Sequence, residues 1–319
     1  MKNKVHRNSF GRGGCRGDRC HRQICDVPGV WTYIRIWYLL VKVKYRAVDD
    51  FMMERWQQPV EEQRRSWITW RSARRDDSLW HQVEEYHRLA DGKSVIDYGF
   101  HGVIQHVNAS ILGEMKEIAE NDGITSFKVY TTYDDMLTDD EIFQVLKEAK
   151  KDGIVIAVHC ENDGVINYLR KTYRESGCTE PKYHPLSRPA RCEAEAVDRL
   201  LHLAAMAGDA PLYIVHLSSK EGLMEVMKAR ASHQKNFAVE TCTQYLTLTD
   251  EMYEDPKEGL KAIMSPPLRQ KRGSGCIMAG IKGWCDRCCG NRSLPVSLWE
   301  RKAGRSAGFY SLSKRCTGS

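Results

Sequence analysis

Three residues of this chain could do chemistry together. Lys128 lies inside Gly123-Ile-Thr-Ser-Phe-Lys-Val-Tyr130, an apolar, β-branched run after a helix-closing glycine, which reads as a strand. A lysine buried in a strand is costly unless something neutralises or uses its charge. One solution is carboxylation of the ε-amine by CO2, which makes an anionic two-oxygen ligand able to bridge two metal ions. His159 and His216 close two later apolar runs. Two neutral imidazoles and a carboxylated lysine suit a pair of zinc-like ions. Such a pair lowers the pKa of a bridging water, so that hydroxide exists at neutral pH and could attack an amide carbonyl. Tyr133 lies five residues past Lys128, in the loop after its strand, and its hydroxyl could hydrogen-bond the developing oxyanion. Singly, either histidine reads as a buried structural residue. All three together, late in successive strands, favour the site.

The elements that must position these residues alternate regularly. Ser78 caps an amphipathic helix that Asp91-Gly92 ends, and Ser94 to Phe100 follows as a strand. Ile111, Leu112, Met115, Ile118 and Ala119 recur at helical spacing before the Lys128 strand. Thr138-Asp-Asp-Glu141 is a capping box for a helix closed by Asp152-Gly153. Ile154 to Cys160 is an apolar strand, and Val165 to Arg174 a helix. A loop with Pro181, Pro185 and Pro189 comes next, then a helix from Cys192 to Ala207. Pro211 to Leu217 reads as a strand, Glu221 to Ala231 as a helix and Phe237 to Cys242 as a strand. The strands lack inside/outside alternation, so both faces are expected to be buried, as in a parallel sheet between helices. Polar residues at the strand ends favour a (β/α)8 barrel over a doubly wound sheet, because barrel active sites lie on that face.

The chain has 319 residues, a net charge of +6 and 42% hydrophobic residues, enough for one large or two small domains. Three regions are expected: an aberrant N-terminal stretch (1–77), a barrel core (78–272) and an aberrant C-terminal stretch (273–319). The outer two are rich in Arg, Lys, Cys and Trp, and are expected to be disordered or non-native. Cys15, Cys20, His21 and Cys25 lack the paired close ligands of a zinc finger, and Cys285, Cys288 and Cys289 lack a second pair. Twelve cysteines in so long a chain, without a visible signal peptide, fit a reducing cytoplasm better than a disulfide scaffold. Arg35 and Lys42 interrupt the apolar stretch from Val30 to Val43, so no membrane partner is expected.

Several motifs resemble the hydantoinase/dihydropyrimidinase branch of the amidohydrolase superfamily. They are Val95-Ile-Asp-Tyr-Gly-Phe-His-Gly-Val-Ile-Gln-His106, Ser126-Phe-Lys-Val-Tyr130, Val158-His-Cys-Glu-Asn162, Tyr183-His-Pro-Leu-Ser-Arg-Pro189, Glu193-Ala-Glu-Ala196, Tyr213-Ile-Val-His-Leu-Ser218, Glu240-Thr-Cys-Thr-Gln-Tyr245 and Ser265-Pro-Pro-Leu-Arg269. The resemblance implies that Lys128 is the carboxylated bridge, that His159 and His216 bind one of two divalent ions, and that Tyr133 and Ser265 hold the substrate ring. The implied reaction opens a cyclic amide, a 5-substituted hydantoin or dihydropyrimidine, to an N-carbamoyl amino acid. A homotetramer is implied as well. His101, His106 and Glu161 are read as structural.

The resemblance also calls for an early Asp-x-His-x-His and a late Ala-Thr-Asp-His, and the chain contains neither. Back-translation with a shifted frame supplies both. Val27 to Ile36, started two bases later, can read Pro-Gly-Gly-Val-Asp-Val-His-Thr-His. Trp284 to Ser297, started one base later, can read a segment containing Ala-Thr-Asp-His. Out-of-frame ends would explain the Arg, Cys and Trp excess without a nucleic-acid partner. They would also leave the metal site incomplete, so weak metal retention and little hydrolysis are expected. Two rival readings are a non-catalytic scaffold relative of the same family and a basic zinc or nucleic-acid binder, the latter marked by salt-dependent DNA binding.

Overall fold

The structure, a computed structural model, describes residues 34–37, 65–70, 78–92, 97–273, 275–280 and 309–311. The cysteine clusters and frame-shifted segments discussed above lie outside these residues, apart from the backbone of one short strand. The chain divides into two compact units, Met1–Lys128 and Val129–Ser319.

In the first unit, β1 (Ile34–Trp37), β2 (Arg65–Trp70) and β3 (Asp97–Val103) pair in parallel. The end of β3 pairs in parallel with β4 (Ser126–Tyr130), setting Gly102 opposite Phe127 and Val103 opposite Lys128. Strands β1 and β2 fall in a stretch where the sequence shows no periodicity. Helix α1 (Leu79–Ala90) starts at Ser78, whose side chain accepts the Trp80 N–H. Its buried stripe is Leu79, Val83, Tyr86 and Ala90, as amphipathic spacing requires. The same face carries Gln82, which donates to the Val103 carbonyl (2.8 Å) and accepts the Val103 N–H (3.0 Å). One amide thereby satisfies both backbone groups at the end of β3, where the ladder runs out. Asn108 caps α2 (Ala109–Asn121) through the Ile111 N–H.

Strand β3 runs three residues further than Ser94 to Phe100 suggested. Gly99 and Gly102 disguise it as a turn. Gly102 is there because a Cβ would meet the Phe127 ring at 2.5 Å.

The second unit holds the parallel strands β5 (Val155–His159), β6 (Leu212–Ile214) and β7 (Phe237–Cys242), with β8 (Phe309–Ser311) antiparallel to β7. Helix α3 (Asp139–Asp152) opens on the Thr138/Glu141 capping box and ends at Gly153, whose φ of 68° is open to glycine at little cost. Helices α4 (Asp163–Glu175), α6 (Ala190–Met206) and α7 (Lys220–Ala231) fall where periodicity placed them. The proline loop hides a one-turn helix, α5 (Tyr183–Ser187). Two further short helices, α8 (Thr243–Thr247) and α9 (Glu258–Lys261), lie in segments to which no periodicity assigned structure. Ile156, Ala157, Val158 and His159 are all buried, which is the two-faced burial expected of parallel strands under helices. Strand β6 is shorter than its apolar run because His216 takes φ 44°, which ends the ladder.

Candidate active site

Lys128, in the first unit, is fully buried at 0% exposure. Close by in the same unit, His101 is also buried, with Nδ1 2.5 Å from the Ser126 hydroxyl oxygen. Burial drives the His101 pKa down to about 3, and the charge of Lys128 pushes the same way. Burial thus disfavours a positive charge on His101 beside Lys128.

In the second unit His159 ends β5, and His216 lies two residues past β6. Their rings meet edge-on, with centroids 4.6 Å apart. Nδ1 of His159 is 3.0 Å from Nε2 of His216. Only one proton fits between two imidazole nitrogens at that distance, so one of them presents a lone pair to the other. Converging ring nitrogens on two buried histidines have the chemistry to supply two ligands to a divalent ion. Backbone bonds hold both rings in place. The Thr131 N–H donates to the His159 carbonyl (3.2 Å), and the Thr131 hydroxyl lies 2.8 Å from the carbonyls of both His159 and Glu161. The His216 N–H donates to Glu240 Oε1 (3.3 Å), while the Tyr213 hydroxyl donates to Oε2 (2.6 Å). The positive φ of His216 is the kind of backbone strain that collects at functional sites.

Tyr133 is also at positive φ (76°), half-buried, with its ring centroid 5.2 Å from that of His159. Asp163, in the first turn of α4, fixes this loop by accepting the Thr132 hydroxyl (2.7 Å) and the Tyr133 N–H (3.3 Å). The structure therefore brings Tyr133, His159 and His216 together. Ser265 is half-buried in the segment before Pro266, whose carbonyl accepts the buried Tyr245 hydroxyl (2.7 Å). Among the described residues, no group of three or more His, Cys, Asp or Glu side chains forms a metal cage. None of the described helices is long and apolar enough to cross a membrane.

Glu161, read from sequence as structural, is part of this arrangement. It is fully buried, and its Oε2 lies 2.8 Å from His159 Nε2. Arg188 Nη1 donates to the same oxygen at 2.5 Å. Burial pushes the Glu161 carboxyl up, while Arg188 and Arg269 oppose that shift. A carboxylate bonded to a buried guanidinium is the form this geometry requires. A Glu two residues after a strand-end histidine, with no apolar period to explain it, was the available signal.

No family model matches the chain. It is 50% identical over 203 residues to the D-phenylhydantoinase of Escherichia coli O9:H4 (strain HS), covering 64% of this chain and 43% of that protein. The crystal structure of dihydropyrimidinase from Brevibacillus agri NCHU1002 superposes with a TM-score of 0.74 at 34% identity, over 80% of this chain and 55% of that one. The D-hydantoinase (dihydropyrimidinase) from Thermus sp. gives 0.74 at 29% identity, over 80% and 56%. The chain thus spans about half the length of the relatives it matches. These likenesses identify the parallel α/β architecture as a partial (β/α)8 barrel of the amidohydrolase type. Over the stretch that carries the paired histidines, the chain is similar to hydantoinases and dihydropyrimidinases.

Proposed function

We propose that this chain carries part of the active site of a cyclic-amide hydrolase that opens 5-substituted hydantoins or dihydropyrimidines to N-carbamoyl amino acids. The observation that carries the reading is the buried pair His159 Nδ1 and His216 Nε2, facing each other at 3.0 Å. Those two nitrogens would hold one divalent ion; for Lys128, as its carbamate, the resemblance implies the role of a further metal ligand. When bound, a zinc-like pair supplies Lewis acidity toward the amide carbonyl and activates water at neutral pH. The chain's own residues do the rest. The Tyr133 hydroxyl donates to the carbonyl oxygen as negative charge grows on it. Ser265 orients the ring. Ring opening consumes one water: its oxygen bonds to the carbonyl carbon as the ring C–N bond breaks, one of its protons goes to the leaving nitrogen, which becomes the carbamoyl NH2, and the other is released as the new carboxyl group ionises.

The incomplete ligand set belongs to the same reading. On this reading the stretches 1–77 and 273–319 carry out-of-frame text where the resemblance calls for an early His pair and a late Asp, so this polypeptide retains metal weakly and turns over little substrate. A homotetramer is the proposed assembly, and the cytoplasm the proposed compartment. Resequencing the locus and assaying phenylhydantoin ring opening by the chain and by its frame-corrected version test the proposal. Restored activity in the corrected chain is expected. Equal activity in both, or nucleotides that do not spell His-x-His in another frame, would overturn it.

A further inference from the structure

We propose that Glu161 is a positioning residue that fixes His159 as its Nε2–H tautomer, and that Arg188 locks Glu161 in that task while also gripping the Tyr133 ring. The inference rests on the metal reading above and goes beyond it. A histidine can bind metal through Nδ1 only if the proton sits on Nε2, and an acceptor at Nε2 is what holds it there. Glu161 Oε2 is that acceptor, at 2.8 Å.

The carboxylate is itself held. Arg188 Nη1 donates to the same oxygen (2.5 Å), and the Glu161 N–H donates to the Thr131 hydroxyl (3.0 Å). The other oxygen, Oε1, is buried and makes no hydrogen bond among the described residues. All the directional bonding of this carboxylate therefore runs through one atom, to His159 and Arg188. Arg188 is fixed from behind: its carbonyl accepts Arg269 Nη1 (2.5 Å), and Arg269 Nε donates to the Ser218 hydroxyl (3.1 Å). The Ser218 N–H in turn donates to buried Glu193 (2.8 Å). The Arg188 guanidinium also lies 5.5 Å from the centroid of the Tyr133 ring, within cation–π range. One guanidinium thus touches both the carboxylate that orients His159 and the tyrosine proposed to stabilise the oxyanion. It accounts for three polar motifs, Ser-Arg-Pro189, Glu193-Ala-Glu and Leu-Arg269, that the ligand set leaves unused.

Long-range 1H–15N correlation spectra of the intact chain, with His159 assigned by loss of its signals in His159→Gln, read the tautomer directly. A proton on Nε2 and a pyridine-type Nδ1 are expected, and a proton on Nδ1 would overturn the proposal. Zinc titration of the same chain gives the second readout. Glu161→Ala is expected to weaken zinc binding about 10- to 100-fold, with Glu161→Gln recovering part of the loss. Arg188→Lys, which keeps the charge but not the fork, is expected to fall between. If His159→Ala leaves zinc affinity unchanged, the metal reading itself fails. If His159→Ala weakens zinc while Glu161→Ala and Arg188→Lys do not, the positioning role alone fails. Should Glu161→Ala not fold, the parent tautomer and Arg188→Lys decide.

Discussion

The Thr131 hydroxyl is a sharp place to perturb the site without touching its chemistry. Thr131 is buried, and its oxygen accepts the Glu161 N–H at 3.0 Å while facing the carbonyls of His159 and Glu161, each at 2.8 Å. The hydroxyl has one proton, so it donates to one carbonyl at a time. Thr131→Val keeps the shape and deletes these bonds. The His159 carbonyl retains the Thr131 N–H (3.2 Å), but the Glu161 N–H is left buried with no acceptor. Orphaning an amide costs about 1–3 kcal/mol, and the lost donated bond adds about 1 kcal/mol, giving about 2–4 kcal/mol in all. Thr131→Ser is the control: it keeps the oxygen and deletes one methyl, at about 1 kcal/mol. Urea unfolding followed by far-UV circular dichroism should therefore rank wild type above Ser and Ser above Val, at an unchanged m-value. Hydrophobicity alone gives the opposite order for the two variants. A Thr131→Val midpoint equal to or above that of Thr131→Ser would refute the view that this hydroxyl clamps the β5 end.

Further outcomes follow from other positions. His87 sits in the first unit beside Asp122 and Asp91, and the hydrogen bond it donates to the Asp122 carboxylate raises its pKa against the opposing effect of burial. Its contribution to stability is therefore complete below the unfolded pKa of about 6.5 and is lost as pH rises through the higher folded value. Urea midpoints across neutral pH should show this loss in wild type and a smaller one in Asp122→Asn, where Asp91 still supports the charged ring. Gly102→Ala sets a methyl against the Phe127 ring, where a Cβ already meets carbon at 2.5 Å, and should cost about 1–3 kcal/mol by thermal or urea unfolding. Thr138→Ala removes the capping box of α3 and should cost about 1 kcal/mol in the same assay, with Thr138→Ser near wild type.

Local chemistry made much of this fold legible in the sequence. Ser78, Thr138/Glu141 and Gly153 each carry the signal for the helix end they form, and Phe237–Cys242 has the apolar content of the strand it becomes. His159 stands out as the last residue of an apolar run. Long-range effects were hidden. Gly102 looks like a turn residue until the Phe127 ring is known to lie against it. His216 sits in an apolar run, yet its φ of 44° takes it out of the strand. Glu161 and Arg188 are 27 residues apart, and nothing local to either one marks them as partners. Buried ion pairs depend on which loops meet, and periodicity does not report that.

The central claim is that the imidazoles of His159 and His216 bind metal jointly. Zinc titration of the intact chain beside His159→Ala and His216→Ala tests it most directly. The account predicts one zinc-binding event whose affinity falls at least about tenfold in each variant, since each removes a ligand nitrogen rather than its support. Unchanged zinc affinity in both variants would contradict it.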